Sequence, residues 1–230
     1  MTAPTAKQVC DAAKAGDVAK LRELQLAGAD INAQNEDGDV ALLLAAQGGF
    51  HEAVRWLCMA GAKKDVMDKH VGATPMLFAC IEGASMVVNG GVLLDGGADV
   101  SARDKSGRTA LMFAAELGHP ELVQWCLEFK SDPAAADVNG TTPLHYAAKG
   151  GHVDVVKALI EGGAALNAVN AKGSNAMHFA ASGSSVQVSS GFWRHSLHVS
   201  GVCARALAHA PLLYAHMLKD VVLLEVSCII

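Results

Sequence analysis

The residues of this chain that could do chemistry are ten histidines, six cysteines and a scatter of carboxylates and serines. A metal centre needs Cys or His ligands at tight spacing, yet Cys10, Cys58, Cys80, Cys126, Cys203 and Cys228 form no CxxC pair. Cys58, Cys80 and Cys126 fall inside apolar periodic stretches, where a thiol packs as a small hydrophobe. His195 and His198 lie three apart, close enough for one helical face, with His209 and His216 further on; no acid or Cys joins them at ligand spacing. No Gly-x-Ser-x-Gly elbow, Walker loop or Gly-x-Gly-x-x-Gly after a strand is present. The chain is therefore expected to be non-catalytic, with no cofactor and no metal.

Composition narrows the partner. Of 230 residues 51 % are hydrophobic, 18 % charged and 5 % aromatic, and 18 basic against 23 acidic residues leave a net charge of −5. Neither nucleic acid nor anionic lipid should be attracted non-specifically, and the aromatics are too few for a base-stacking platform. Trp56 and Trp125 read as core or stacking residues. The uncharged run between Lys172 and Arg194 is interrupted by serines, and that from Ala206 to Leu218 by Pro211 and two histidines. Neither supplies the ~20 apolar residues of a membrane span. The N-terminus lacks the basic-then-apolar order of a secretory signal. A soluble, cytoplasmic protein with reduced thiols is expected, a nuclear location remaining open.

The elements that must position any site come from an internal repeat. Gly38, Gly72, Gly107, Gly140 and Gly173 are spaced 34, 35, 33 and 33 residues apart. After each comes a helix start and an Ala pair or its equivalent: Ala45-Ala46, Ala79-Cys80, Ala114-Ala115, Ala147-Ala148 and Ala180-Ala181. A small-residue turn, a second apolar stretch and a loop such as Gly28-Ala29-Asp30 or Gly97-Ala98-Asp99 complete the unit. Thr142 is placed to cap a helix whose first residue is Pro143, where no hydrogen-bond donor is lost. The Ala pairs give each first helix a low-volume side, so that neighbouring units can stack.

The fullest copy runs from Asp137 through Thr142-Pro143-Leu144-His145 and Ala147-Ala148 to Gly151-His152, then Val155-Val156 and Gly162-Gly163-Ala164. This resembles the ankyrin repeat. The resemblance covers residues 5–183, in units 5–35, 36–68, 69–103, 104–136, 137–170 and a partial 171–183. It implies an all-α solenoid of helix-turn-helix units with short β-hairpin fingers. It also assigns His145, His178, His119 and His152 to structural hydrogen bonding. Unit 2 departs from the pattern, with Val40-Ala41 in place of Thr-Pro and Phe50 in place of the turn His. Unit 3 carries an extra residue before Gly72 and two more around Asn89-Gly90-Gly91. The Gly pair predicts a broken or bulged second helix, since each Gly costs about 1 kcal/mol relative to Ala in a helix interior, and its deletion is expected to stabilise the array.

The resemblance implies a protein partner held on the concave surface by the finger tips and the two positions after each Ala pair. In unit 2 these are Glu36, Asp37, Asp39, Gln47 and Gly48; in unit 3, His70, Val71, Ala73, Ile81 and Glu82. Unit 4 offers Lys105, Ser106, Arg108, Glu116 and Leu117, and unit 5 offers Val138, Asn139, Thr141, Lys149 and Gly150. An acidic end (Glu36, Asp37, Asp39) faces a basic middle (Lys69, Lys105, Arg108), a gradient able to orient a partner. Reversing Lys105 and Arg108 is expected to leave the fold intact. Leu24 followed by Asp30-Ile31-Asn32 matches the pattern for asparaginyl hydroxylation at Asn32, against the plainer reading of an Asn that ties its own turn. Residues 184–230 hold five charged residues and no repeat landmark. Helices near 201–209 and 211–226 are plausible there, and that tail is read as a cap, an apolar binding segment or an unfolded stretch. The chain is expected to be an adaptor, monomeric unless the tail self-associates, or a regulatory fragment of a larger enzyme or channel.

Overall fold

The computed structural model describes residues 4–81 and 86–183, the side chains of 86–88 excepted. The expectations for the tail and for Glu82 lie outside these residues. Eleven helices are described, and they alternate between an inner and an outer layer. The inner helices are α1 (Ala6–Lys14), α3 (Ala41–Gln47), α5 (Pro75–Ala79), α7 (Ala110–Leu117), α9 (Pro143–Gly150) and α11 (Ala176–Ser182). The outer ones are α2 (Val18–Leu26), α4 (His51–Met59), α6 (Met86–Asp95), α8 (Pro120–Glu128) and α10 (Val153–Glu161). Helices α1 to α10 pack in inner–outer pairs, and each helix packs on the next described helix of its layer. None is long and apolar enough to cross a membrane.

Local chemistry explains the helix starts. Thr5 and Gln8 cap α1 reciprocally, the Thr5 N–H donating to Gln8 Oε1 at 3.0 Å. Pro75, Pro120 and Pro143 occupy first-turn positions of α5, α8 and α9. In α3, where Val40 stands in the cap position, no side chain caps the helix. Ala45-Ala46, Ala79-Cys80, Ala114-Ala115 and Ala147-Ala148 are fully buried between successive inner helices, and of the last pair Ala180 is buried and Ala181 exposed. One contiguous core follows, running from Val9 to Ala180.

The helix pairs are joined by fingers that close as tight turns rather than as ladders. Among the described residues the one β-bridge pairs Val169 with Asn175. Each finger is organised by one side chain at its base. Asn35, Asp68, Asp104, Asp137 and Asn170 accept backbone N–H groups across their own turns at 2.6–3.0 Å. The extra residue of unit 3 sits in its finger, which closes Asp68 N–H onto Ala73 O where the other fingers span one residue fewer. Neighbouring fingers are then bonded tip to tip, Lys105 N–H to Val71 O, Val138 N–H to Ser106 O and Ala171 N–H to Asn139 O.

The expected break at Gly90-Gly91 is not there: α6 runs unbroken from Met86 to Asp95. Close approach is the reason. A Cβ on Gly90 would lie 2.8 Å from Leu122 Cδ1, and one on Gly91 2.6 Å from the Trp125 ring, so α8 packs into the space the glycines leave. Deleting the pair would rotate the rest of α6 by about 200°, carrying Leu93 and Leu94 out of the core, so the expected stabilisation is withdrawn. Asn89, one residue earlier, is fully buried with neither amide atom hydrogen-bonded.

Two outcomes follow for stability. Asn89→Ala removes an unpaired buried amide and should raise the unfolding free energy by about 1–2 kcal/mol, whereas Gly90→Ala should lower it by about 1–2 kcal/mol despite its better helix propensity. Urea midpoints of the two variants against wild type check both signs. Acid dependence follows from the fingers. Burial pushes the Asp137 carboxyl up, but hydrogen bonds from Thr141, the Tyr146 hydroxyl and Asn139 outweigh it and hold the group below the ordinary carboxylate range. A folded value below the unfolded one stabilises above about pH 4 and is lost as the carboxyl protonates below it. In Asp137→Asn that acid-linked share is absent, while the turn acceptor survives as in Asn35 and Asn170. The stability gap between wild type and Asp137→Asn should narrow from about pH 5 to about pH 3, measured by denaturant titration at each pH.

Candidate protein-binding groove

The fingers and the inner helices enclose a groove. Its expected residues fall into three groups. Glu36, Asp37, His70, Ser106, Val138 and Asn139 are exposed on the finger tips, and Gln47 and Lys149 at the ends of α3 and α9. Val71, Ile81 and Leu117 are exposed beside them, at 50 %, 41 % and 44 %. Ala73 and Thr141 are buried, Ala73 closing finger 3 through its carbonyl and Thr141 donating its N–H to Asp137, so their side chains do not face the groove. Asp39 is half-buried and likewise closes its finger.

The third group is charged and already engaged within the chain. Lys105 donates from Nζ to the carbonyls of Lys69 (2.6 Å) and His70 (2.8 Å), pinning the enlarged finger 3. Arg108 is held by Asp104, with Nε to Oδ2 at 3.0 Å, and lies over the Phe113 ring at 4.1 Å. Its Nη1 is 3.8 Å from Glu116 Oε2. Reversing Lys105 and Arg108 would break these contacts, so the expectation of an unaffected fold is corrected. Such residues are part of the finger architecture as well as of the groove.

Floor residues were missed by the sequence reading. Immediately before each Ala pair stand Leu44, Phe78, Phe113, Tyr146 and Phe179, one on each of α3, α5, α7, α9 and α11. Phe113 lies under Arg108, and the Tyr146 hydroxyl donates to the finger anchor Asp137 at 2.8 Å, which places this stripe beneath the fingers. Burial and that hydrogen bond to a carboxylate push the Tyr146 hydroxyl pKa well up. Phe179 meets the buried His145 ring edge-on at 5.1 Å. Phe78, Tyr146 and Phe179 are half-buried, whereas Phe113 is covered. The signal was available in the sequence as an aromatic recurring at the repeat period.

His145, His152 and His178 serve the scaffold. His145 Nδ1 accepts the Thr142 N–H at 3.1 Å and Nε2 pairs with Ser174 O at 3.1 Å, linking two units. Burial lowers its pKa, with the Ser174 carbonyl acting the other way, consistent with a neutral ring. His152 Nε2 reaches Glu116 O at 3.0 Å, and Phe50 fills the corresponding slot between the turns of α1–α2 and α3–α4. His178 pairs with Asn175 in a capping box. Asn32 accepts the Lys63 N–H at 2.7 Å and donates to Gly61 O at 3.4 Å, so its amide ties two units together. Cys80 and Cys126 are buried and their thiols are pushed up by burial, Cys126 to about 12. Among the described residues no three His, Cys, Asp or Glu converge as metal ligands.

Comparison with known proteins accounts for this architecture. The family model for ankyrin repeats matches residues 9–104, 91–170 and 111–190. An E3 ubiquitin-protein ligase of Arabidopsis thaliana, XBAT33, is 44 % identical over 59 residues, 26 % of this chain and 11 % of that protein. The ankyrin repeat and KH domain-containing protein mask-1 of Caenorhabditis elegans is 32 % identical over 123 residues, 54 % of this chain and 5 % of its own length. A transient receptor potential cation channel subfamily A member 1 homologue of the same organism is 34 % identical over 109 residues, covering 47 % and 9 %. The crystal structure of an ankyrin repeat domain from Acinetobacter baumannii superposes with a TM-score of 0.73 at 25 % identity, over 81 % of this chain and 96 % of that one. The stacked helix pairs, the fingers and these matches agree: the chain belongs to the ankyrin-repeat family.

Proposed function

We propose that this chain is a non-catalytic adaptor that holds a protein partner in the groove between its fingers and inner helices. Ankyrin repeats are protein-interaction modules, and the repeat array is a non-catalytic interaction fold. The observation that carries the reading is the groove surface itself. Half-buried Leu44, Phe78, Tyr146 and Phe179 on the inner helices are joined by exposed Val71 and Val138 on the finger tips and by exposed Ile81 and Leu117 at the helix ends. Apolar side chains held open on a rigid frame are what a partner segment buries on docking. The buried thiols and the net charge of −5 fit a protein partner in the cytoplasm better than a nucleic acid.

A second reading is favoured by length. The chain spans 11 %, 5 % and 9 % of the three relatives above, among them a ubiquitin ligase and a channel homologue. An ankyrin segment regulating such a larger protein would use the same groove.

Val71 and Val138 are exposed, so replacing both with Glu should leave folding nearly unchanged while weakening a groove-bound partner by about tenfold or more. Lys157, on the outer helix α10 and paired with Asp154 at 3.4 Å, is the control site. Affinity capture with wild type, the double variant and Lys157→Glu, followed by titration of the recovered protein, is the measurement. A partner lost with Lys157→Glu but retained by the double variant would place binding on the outer layer instead.

A further inference from the structure

The geometry points to an extended partner segment with a carboxylate at its centre, seated on Arg108, and apolar side chains three residues to either side. This rests on the groove being the binding surface, and it specifies what the groove selects. Arg108 is oriented before any partner arrives. Asp104, whose side chain is 3 % exposed, holds Nε at 3.0 Å, and the Phe113 ring supports the guanidinium plane at 4.1 Å. A guanidinium has five N–H donors, more than these contacts use, and a pre-set planar fork is suited to a carboxylate. Pre-orientation also lowers the entropy lost on binding.

Glu116 marks the position of that carboxylate. It stands at 3.8 Å from Nη1, with its side chain 37 % and that of Arg108 32 % exposed. A loose, solvated pair of this kind is worth little, so an incoming carboxylate displaces it at small cost. The finger acids of this stretch have their oxygens occupied, Asp104 by Arg108 Nε as well as by its own turn. Asp68, Asp104 and Asp137 each accept two or three hydrogen bonds across their own fingers. Lys149, exposed at the end of α9 in the next unit, reinforces the preference for an anion, whereas the Lys69 side chain lies over Gly38 of finger 2.

Spacing sets the rest of the segment. Phe78 and Tyr146 occupy, one unit before and one after, the position that Phe113 occupies under Arg108. Packed helices lie about 8–10 Å apart, and an extended chain in the polyproline II conformation advances about 3.1 Å per residue with three residues per turn, so every third side chain faces the floor and meets one unit. A charge at the central position therefore places its third neighbours over Phe78 and Tyr146. Toward finger 2 the groove turns acidic at Glu36 and Asp37, which favours a basic residue at that end of the segment.

The test uses the full chain and three labelled seven-residue peptides, apolar at both ends, with Glu, Gln or Lys at the centre, titrated by fluorescence anisotropy. The Glu peptide should bind most tightly and lose affinity with rising salt. Arg108→Lys should weaken it about tenfold, in the range of an interfacial anchor. Glu116→Gln, which removes the internal competitor, should strengthen it about two- to fivefold, the worth of an exposed ion pair. Thermal melts of both variants report folding, and the Glu116 result stands even if Arg108→Lys is unstable. Tightest binding by the Lys peptide, weakening by Glu116→Gln, or no binding of the Glu peptide at millimolar concentration overturns the proposal. Equal binding of the Glu and Gln peptides, both lost with Phe78→Ser, would overturn the central carboxylate and keep the groove. Binding of all peptides untouched by Arg108→Lys and Phe78→Ser would overturn both.

Discussion

A single helix pair of this size has an apolar side that it cannot cover by itself, and the whole molecule follows from how that side is covered. Ala45-Ala46, Ala79-Cys80, Ala114-Ala115 and Ala147-Ala148 are buried to the last atom between consecutive inner helices. Small side chains let helix axes come close, and close axes give a regular stacking interval. Every other repeating feature inherits that interval. The finger tips become near enough for N–H of one to reach C=O of the previous one. His152 can cross from its own turn to the carbonyl of Glu116, and His145 to that of Ser174. The aromatic stripe is the same interval expressed on the floor of the groove.

Much of the groove's charge is spent on its own architecture. A tight finger leaves several N–H groups pointing inward, and a carboxylate or amide at its base satisfies them together. Lys105 does the reverse for the enlarged finger 3, satisfying two carbonyls from the neighbouring unit. Finger tips are often treated as free contact residues, yet here Ala73 and Thr141 lie inside the turn and Lys105 is a strut. The surface left for a partner is therefore more apolar than the residue types at the tips suggest. Arg108 joins the two roles, being fixed by Asp104 and Phe113 while keeping one edge toward the groove.

Unit 3 shows where the regular frame is compromised. Its outer helix has Asn89 and Gly90 at buried positions, and the unpaired Asn89 amide has no counterpart in the outer helices on either side. The glycines are compensated by Leu122 and Trp125 of α8, which move into the space they vacate. Helix propensity alone argued for a break at this pair. Propensity is a property of the isolated segment, of about 1 kcal/mol per residue, and packing against α4 and α8 outweighs it.

The sequence by itself determined the family, the helix pairing and the position of the fingers, because period, Ala pairs and Gly anchors are local and repeat in register. The caps at Thr142-Pro143 and the scaffold role of His145 and His152 were legible for the same reason: each depends on residues at fixed offsets. The aromatic floor at Phe78, Phe113, Tyr146 and Phe179 was equally periodic, though its position beneath the fingers is a fact of three dimensions. Only the tertiary structure decided which polar side chains are engaged within the array. Arg108 takes one partner from its own finger, Asp104, but the Phe113 ring and Glu116 reach it only because the finger folds over the following helix. The continuity of α6 was decided in the same way, by Leu122 and Trp125 more than thirty residues further along the chain. Contacts between units depend on the stacking interval and on side-chain reach, and neither is written in the spacing of any one repeat.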